Sequence, residues 1–295
     1  MTDQITRVGI VAKTRLAEAA GVIAELAGWL DARRVRAVFD TETAALVGLP
    51  PDRPRFSRED LPSHCDLLVV LGGDGTLIGM AGRIAAADVD IPILGVNFGS
   101  LGFLTEITLP ELHASLESVL DGTAQIEPRM MLRSRTVRAG AVCTDRLALN
   151  DVVITKGALS RIIDLAVSIG DQRAMRVRAD GLIVASATGS TAYNLAAGGP
   201  IVHPAVDAIL LTPIAPHMLT NRPIVVPASS VIHVKPAAGS SNDELFVTFD
   251  GQSGHPLEAD DQIVIECAPR PVRLVRAATR TYFDVLREKL KWSER

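Results

Sequence analysis

Aromatic residues are scarce in this chain, at 4% of 295 residues. A core must therefore be built from Ala, Val, Leu and Ile, and a hydrophobic content of 47% is enough for a large one. Cysteine is scarcer still: Cys65, Cys143 and Cys267 stand far apart with no Cys-x-x-Cys pair. That excludes a disulfide scaffold; buried free thiols in a reducing cytoplasm are expected. No basic excess exists, with 30 Lys and Arg against 34 Asp and Glu, so a nucleic-acid partner is not expected. The nearest thing to a basic stripe is Arg129, Arg133, Arg135 and Arg138, whose spacing fits the solvated face of a strand. No apolar run reaches membrane-spanning length, and Met1 to Arg7 lacks the layout of a signal peptide. A cytoplasmic protein without a membrane partner is expected. The six histidines show no i, i+4 pair, so no dedicated metal site is expected. The phosphate loop G-x-x-x-x-G-K-[ST] is missing altogether.

What is present is a change of texture about 125 residues in. Before it, short apolar runs at Arg7–Ala12, Val35–Phe39, Asp66–Leu71 and Ile91–Val96 alternate with helical spacing. The helical signals are Leu16, Ala19, Ile23, Leu26 and Leu30, then Leu77–Ala87 and Leu109–Leu120, while Pro50–Pro62 reads as a loop. This βαβ rhythm predicts an α/β domain over 1–125 with a parallel, Rossmann-like sheet. After it, short β-rich runs punctuated by Gly, Pro, Asn and Asp predict a mostly β domain over 126–278. Among these runs are Met131–Val137, Leu147–Ile154, Ile162–Ile169 and Leu182–Ala185. Thr281–Leu290 reads as a last helix, expected within 279–295 to pack back on the first domain. Ala237–Asp243 reads as an exposed turn.

Four segments carry polar groups where chemistry is done. In Gly72-Gly73-Asp74-Gly75-Thr76 a buried strand runs into a glycine-rich turn and then a helix. Glycine lets backbone approach a ligand, and a helix start offers free amides to an anion, so this is a candidate phosphate loop with one carboxylate. A plain strand-to-helix turn with Asp74 as helix cap is the alternative. Its spacing is one residue too long for the dinucleotide fingerprint. Thr188-Gly-Ser-Thr191, after a strand and before a small-residue helix, gathers hydroxyls at another helix start. Asn150-Asp151 at a strand start suits an amide edge and a ribose diol, or an Asx-turn. Asp250-Gly251-Gln252 by itself reads as a hairpin turn.

Taken together these segments resemble the NAD kinase family. The Gly-Gly-Asp-Gly-Thr turn alone is shared with diacylglycerol and sphingosine kinases. The combination with Asn97-Phe-Gly99-Ser-Leu-Gly102-Phe103-Leu104-Thr105, Leu149-Asn150-Asp151, Asp180-Gly181, Thr188 to Tyr193, Gly198-Gly-Pro200 and Asp250-Gly-Gln252 is far more specific. The resemblance implies transfer of the γ-phosphoryl group of ATP to the 2′-hydroxyl of the adenosine ribose of NAD, with Mg²⁺ arriving on the nucleotide. It implies Asp74 as catalytic acceptor of the ribose proton, with Gly75 beside it and Gly72, Gly73 and Thr76 in the phosphate loop. It implies that Asn150 and Asp151 hold the adenosine, and that Asp180 with Arg178 contacts the dinucleotide. The segment Thr191, Ala192, Tyr193, Asn194, Leu195 and Ala196 would wrap the ligand, and Arg161, Ala215 and Gln252 match further binding positions. Many relatives carry Glu in place of Asp151, and relatives with Arg at the Arg178 position tend to be strict for NAD over NADH. A homo-oligomer, with a tetramer favoured, is implied as well. A lipid kinase and a non-catalytic NAD sensor remain as alternatives, separated by assaying NAD, diacylglycerol and turnover with ATP.

Overall fold

The computed structural model describes residues 5–13, 19–49, 53–157, 162–218, 220–237, 245–258 and 260–292. Arg161 and the turn expected after Ala237 lie outside the described residues. The chain divides into two compact units, one formed by Met1–Pro128 with Val272–Arg295 and the other by Arg129–Pro271.

The first unit opens with β1 (Arg7–Ala12), α1 (Ala19–Ala32), β2 (Arg36–Asp40), α2 (Thr41–Leu46) and β3 (Arg55–Phe56). It continues with β4 (Leu67–Leu71), α3 (Asp74–Ala86), β5 (Pro92–Asn97), β6 (Ile107–Thr108), α4 (Leu112–Leu120) and β7 (Ile126–Arg129). The strands are apolar throughout because both sheet faces are covered. Val8 and Ile10, Leu67 and Val69, Leu94 and Val96 pack on one face in a single cluster with α1 and α4. On the other face Leu77 of α3 lies so close to Gly95 that a β-carbon there would collide with it. The segment read as a loop at 50–62 holds β3 and part of a 3₁₀ turn at Leu61–His64, whose Leu61 is fully buried. Its prolines and charges hid that anchor.

The second unit holds two antiparallel sheets. Its strands are β8 (Leu132–Arg138), β9 (Ala141–Ala148), β10 (Asp151–Lys156), β11 (Ile163–Ile169), β12 (Gln172–Ala179) and β13 (Gly181–Ser186). After a 3₁₀ turn at Thr188–Thr191 and one helical turn, α5 (Tyr193–Ala196), come β14 (Ala208–Ile214) and β15 (Ile224–Pro227). They are followed by β16 (Ile232–Pro236), β17 (Leu245–Phe249), β18 (Ser253–Leu257) and β19 (Gln262–Cys267). One sheet runs β15-β14-β13-β10-β17-β18 and the other β12-β11-β16-β19-β8-β9. Inward residues of both, such as Ile154, Val184 and Val247 with Leu165, Val234 and Ile265, form one core. Each such side chain withdrawn from water is worth roughly 1.5–3 kcal/mol. The opposite face of β13 and its neighbours is also apolar, at Val153, Ile183, Ala185 and Leu210, and Ala197 and Val202 pack on it. Double coverage explains why β13 reads as one unbroken apolar run.

The chain then returns to the first unit with β20 (Val272–Val275) and α6 (Tyr282–Leu290). β20 completes a sheet in the order β3-β2-β1-β4-β5-β20-β7, with β6 on β5. The pairings from β3 to β20 are parallel. Thr281 caps α6 in a capping box with Asp284. The stretch read as one strand at 147–154 is two, because the chain leaves β9 at Ala148 and enters β10 at Asp151. The expected buried thiols are found only at Cys65, where burial pushes the pKa up to about 12; Cys143 in β9 and Cys267 in β19 are exposed. Arg133 and Arg135 do lie on an outer strand face, paired with Asp145 and Glu266, whereas Arg129 is buried.

Candidate active site

In the first unit the carboxyl ends of β1, β4 and β5 lie side by side. Lys13 N–H donates to Leu71 O at 2.9 Å, and Gly72 N–H donates to Val96 O at 2.9 Å. Strand order reverses between β1 and β4, the place where open parallel sheets bind ligands. The Gly72–Thr76 turn sits there. Gly73 is the extended N-cap of α3, so the helix begins at Asp74, ahead of the Leu77 expected from spacing. Its positive end therefore faces the turn. A β-carbon on Gly72 would press on Lys13 and Thr76 at 3.1 Å, while Gly73 and Gly75 face open space.

Asp74 is not the cap but the first helical residue, and its carboxylate is held from the segment after β5. Oδ2 accepts from Phe103 N–H at 2.8 Å. Oδ1 accepts from Leu104 N–H at 3.2 Å, Thr105 N–H at 2.9 Å and the Thr105 hydroxyl at 2.8 Å. Oδ1 is saturated, and Oδ2 keeps a lone pair for another donor. Gly102 makes the approach possible, since a β-carbon there would collide with the Asp74 carboxylate and the Thr105 hydroxyl. Asn97 folds the same segment, accepting from Gly99 N–H at 2.6 Å and donating to Ser100 O. Glu106, next to Thr105, is buried and paired with Arg276, and it also accepts from Ala277 N–H at 3.0 Å.

In the second unit three of the sequence segments meet. The turn Asp250-Gly251 has φ of 52° and 63°, two left-handed residues in succession, as tight hairpin turns require. The Asp250 carboxylate accepts from Leu149 N–H at 2.8 Å, Asn150 N–H at 2.7 Å and Asp151 N–H at 3.0 Å. On the other side Ser186 N–H donates to Asn150 O at 2.9 Å, and the Ser186 hydroxyl donates to Leu149 O at 2.5 Å. Gly189 N–H donates to that hydroxyl at 3.0 Å, and Gly189 itself lies against the Asn150 backbone, with no room for a β-carbon. Asn150 and Asp151 form no Asx-turn: among the described residues neither side chain has a hydrogen-bonding partner. Asp151 is 4% exposed. Burial, with the Asp250 charge second, pushes its pKa up to about 7.

Within the segment 191–196 the side chains divide. Tyr193 is exposed and presents its ring, and Thr191 is half-buried. Asn194 is fully buried, and its amide is spent internally, donating to Ser190 O and Pro200 O at 3.0 Å and accepting from the Thr212 hydroxyl at 2.6 Å. Ala192, Leu195 and Ala196 lie on the same turn, partly or fully open. Thr188, absent from the expected binding positions, has a buried hydroxyl with no partner. Gln252 is exposed in the turn after Asp250.

The remaining expected residues gather elsewhere. Asp180 precedes β13, and Ala215, at φ of 43°, follows β14. Gly181 pairs with both Thr155 and Ile214, so Asp180, Ala215 and Lys156 share one end of the sheet. Lys156 Nζ meets Asp180 Oδ1 at 2.8 Å. Arg178, at the end of β12, is exposed and only 3.9 Å from Asp164, which Arg176 already holds. Asp151 and Ser186 are at the other end of the same strands. Along the six residues of β13 that is a separation of roughly 20 Å. Asp250 was read from sequence only as part of a hairpin turn, and Lys156 was not singled out, because their partners are remote in the chain.

Two family models match: the ATP-NAD kinase N-terminal domain over residues 8–124 and the ATP-NAD kinase C-terminal domain over 149–277. NAD kinase of Geotalea daltonii is 46% identical over 289 residues, 98% of this chain and 99% of that one. NAD kinase of Geobacter sulfurreducens is 47% identical over 290 residues, with the same coverage. Among solved structures, yeast NADH kinase complexed with NADH superposes with a TM-score of 0.89 at 26% identity, covering 99% of this chain and 89% of that one. An NAD kinase from Archaeoglobus fulgidus in complex with ATP gives a TM-score of 0.73 at 26% identity, covering 96% and 99%. With relatives this similar along its whole length and with the Asp74 and Asn150-Asp151 segments built as described, the chain belongs to the NAD kinase family.

Proposed function

We propose that this NAD kinase makes NADP by carrying the γ-phosphoryl group of ATP to the 2′-hydroxyl of the adenosine ribose of NAD, with Asp74 accepting the hydroxyl proton. The carrying observation is the Asp74 carboxylate itself. Four donors fix it at the head of α3 while Oδ2 keeps an open lone pair. A carboxylate so oriented can align a ribose hydroxyl and take its proton as the bond to phosphorus forms. Gly73, Gly75 and the first turn of α3 leave space and positive potential for phosphate. Asn150 and Asp151, with unspent side chains, hold the adenosine, and Tyr193 supplies an aromatic face.

Mg²⁺ would come as a companion of the ATP phosphates. Phosphate and water oxygens would hold the ion, leaving the open lone pair of Asp74 to the ribose hydroxyl. Carried in on the ATP, the ion would neutralise phosphate charge.

We further propose an oligomer, with a tetramer favoured, acting in the cytoplasm. The Asn150 and Asp180 groups lie at opposite ends of β13, so a site using both draws them from two copies. No helix among the described residues is long and apolar enough to cross a membrane. The primary test is incubation with NAD, ATP and Mg²⁺. Formation of NADP is expected; turnover of diacylglycerol instead, or NAD binding without turnover, would replace this reading.

A further inference from the structure

The segment Leu149-Asn150-Asp151 is gripped from two sides: Asp250 holds its three amides and the Asp151 carbonyl, and Ser186 holds the other two carbonyls. Three consecutive N–H groups converge on the Asp250 carboxylate at 2.7–3.0 Å. The carbonyls of Leu149 and Asn150 accept from Ser186, and that of Asp151 accepts from Asp250 N–H at 2.9 Å. We infer that Asp250 is a positioning residue for the dinucleotide: by gripping this backbone it sets the direction in which Asn150 and Asp151 present their side chains. The inference rests on the reading of that pair as the adenosine holder.

Three features make the grip specific. A charged acceptor makes hydrogen bonds about twice as strong as a neutral one, and three amides around one carboxylate form an anion nest. Asp250 adopts φ of 52°, a left-handed conformation that Asp, Asn and Gly tolerate and most residues do not. The contacts span about 100 positions of sequence, from β17 back to the entry of β10, so the local chain alone does not impose this conformation. A backbone fixed from both edges cannot rotate its peptide planes, and the two side chains keep their direction before any ligand arrives. Binding then forgoes the cost of ordering them. Asp250 is also the charge that bears on Asp151.

The test uses two variants of the full chain. Asp250→Gly removes the carboxylate and keeps the left-handed backbone; Asp250→Asn keeps one oxygen acceptor and removes the charge. NAD binding is measured by calorimetry without ATP, alongside KM for both substrates and the pH dependence of NAD binding. Asp250→Gly should weaken NAD binding at least 30-fold, leave KM for ATP within threefold, and be largely rescued by Asp250→Asn. In Asp250→Asn the pH midpoint of NAD binding should move to lower pH, since Asp151 has lost its neighbouring charge. A purely structural role would lower both affinities together and leave the midpoint in place. NAD affinity within threefold of the parent protein in Asp250→Gly overturns the inference. If that variant does not fold, an unmoved midpoint in Asp250→Asn does so. A parent protein that binds NAD but forms no NADP would refute the kinase reading and leave this test standing.

Discussion

Asp74→Asn exchanges a carboxylate that only accepts for an amide that must also donate. One oxygen can still serve Thr105, but the new NH₂ group then faces the Phe103 amide, itself a donor. The variant loses the proton acceptor and one orienting bond. Its kcat should fall roughly 10²- to 10⁴-fold, with NAD affinity changed far less because Asn150, Asp151 and the Thr191 segment are untouched. Steady-state kinetics with a separate NAD titration decides it. More than about a tenth of parental kcat, or a loss accounted for by NAD binding alone, would move the base elsewhere.

Asp151 carries the pH prediction. Its pKa rises from 3.8 to about 7, through burial first and Asp250 second. The folded protein thus holds a proton that the unfolded chain has released. The resulting stabilisation is at most roughly 4 kcal/mol; it is complete below about pH 4 and is lost as pH rises through about 7. Asp151→Asn should therefore melt higher than the parent protein at pH 8 and show less than half that gain at pH 5. Scanning calorimetry at the two values checks the sign. Arg178, exposed and 3.9 Å from Asp164, carries the selectivity prediction. NAD should be strongly preferred over NADH, and Arg178→Ala should narrow the ratio of kcat/KM. Parental rates within threefold of each other would count against this.

At the scale of elements, the segment from Asn97 to Thr105 is the cradle of Asp74. Gly102→Ala drives a methyl group into the Asp74 carboxylate. It should reduce kcat at least tenfold, and a circular dichroism spectrum matching that of the parent would show the loss to be local. The cradle is anchored in turn by Glu106 and Arg276, both nearly buried. Arg276→Ala strands a buried carboxylate, at about 3–5 kcal/mol. These links show what the sequence disclosed. Strands covered on both faces, such as β4 and β13, were visible as apolar runs, and Thr281 announced α6. β12, an edge strand carrying Arg173, Arg176 and Arg178, lacked that signal, and in β14 Pro213 follows close on the apolar run 208–211. The glycine turn and the Asn150-Asp151 pair were legible as motifs. The grip of Asp250 and the cradle of Thr105 were not, because hydrogen bonds across 30 or 100 residues leave no local period.

For the whole molecule, the distance along β13 between the Asn150 and Asp180 groups makes a prediction about assembly. Asn150→Ala and Asp180→Ala should each be nearly inactive alone. Mixed under conditions that exchange subunits, they should regain activity, since some sites then take an intact group from each copy. Light scattering should show an oligomer in the same samples. No recovery in an exchanging oligomer would place both groups in one copy's site.

The return of the chain has a further consequence. β20 lies between β5 and β7 in the parallel sheet, yet it is translated only after the entire second unit. During synthesis the amino-terminal unit therefore waits with a gap in its sheet, and β5 shows an open edge to whatever passes. The later segment 129–271 is continuous and closes first. Vectorial order is inverted: the half that leaves the ribosome first is the half that finishes last, and a nascent chain stalled before Val272 is the form that a chaperone would have to shield.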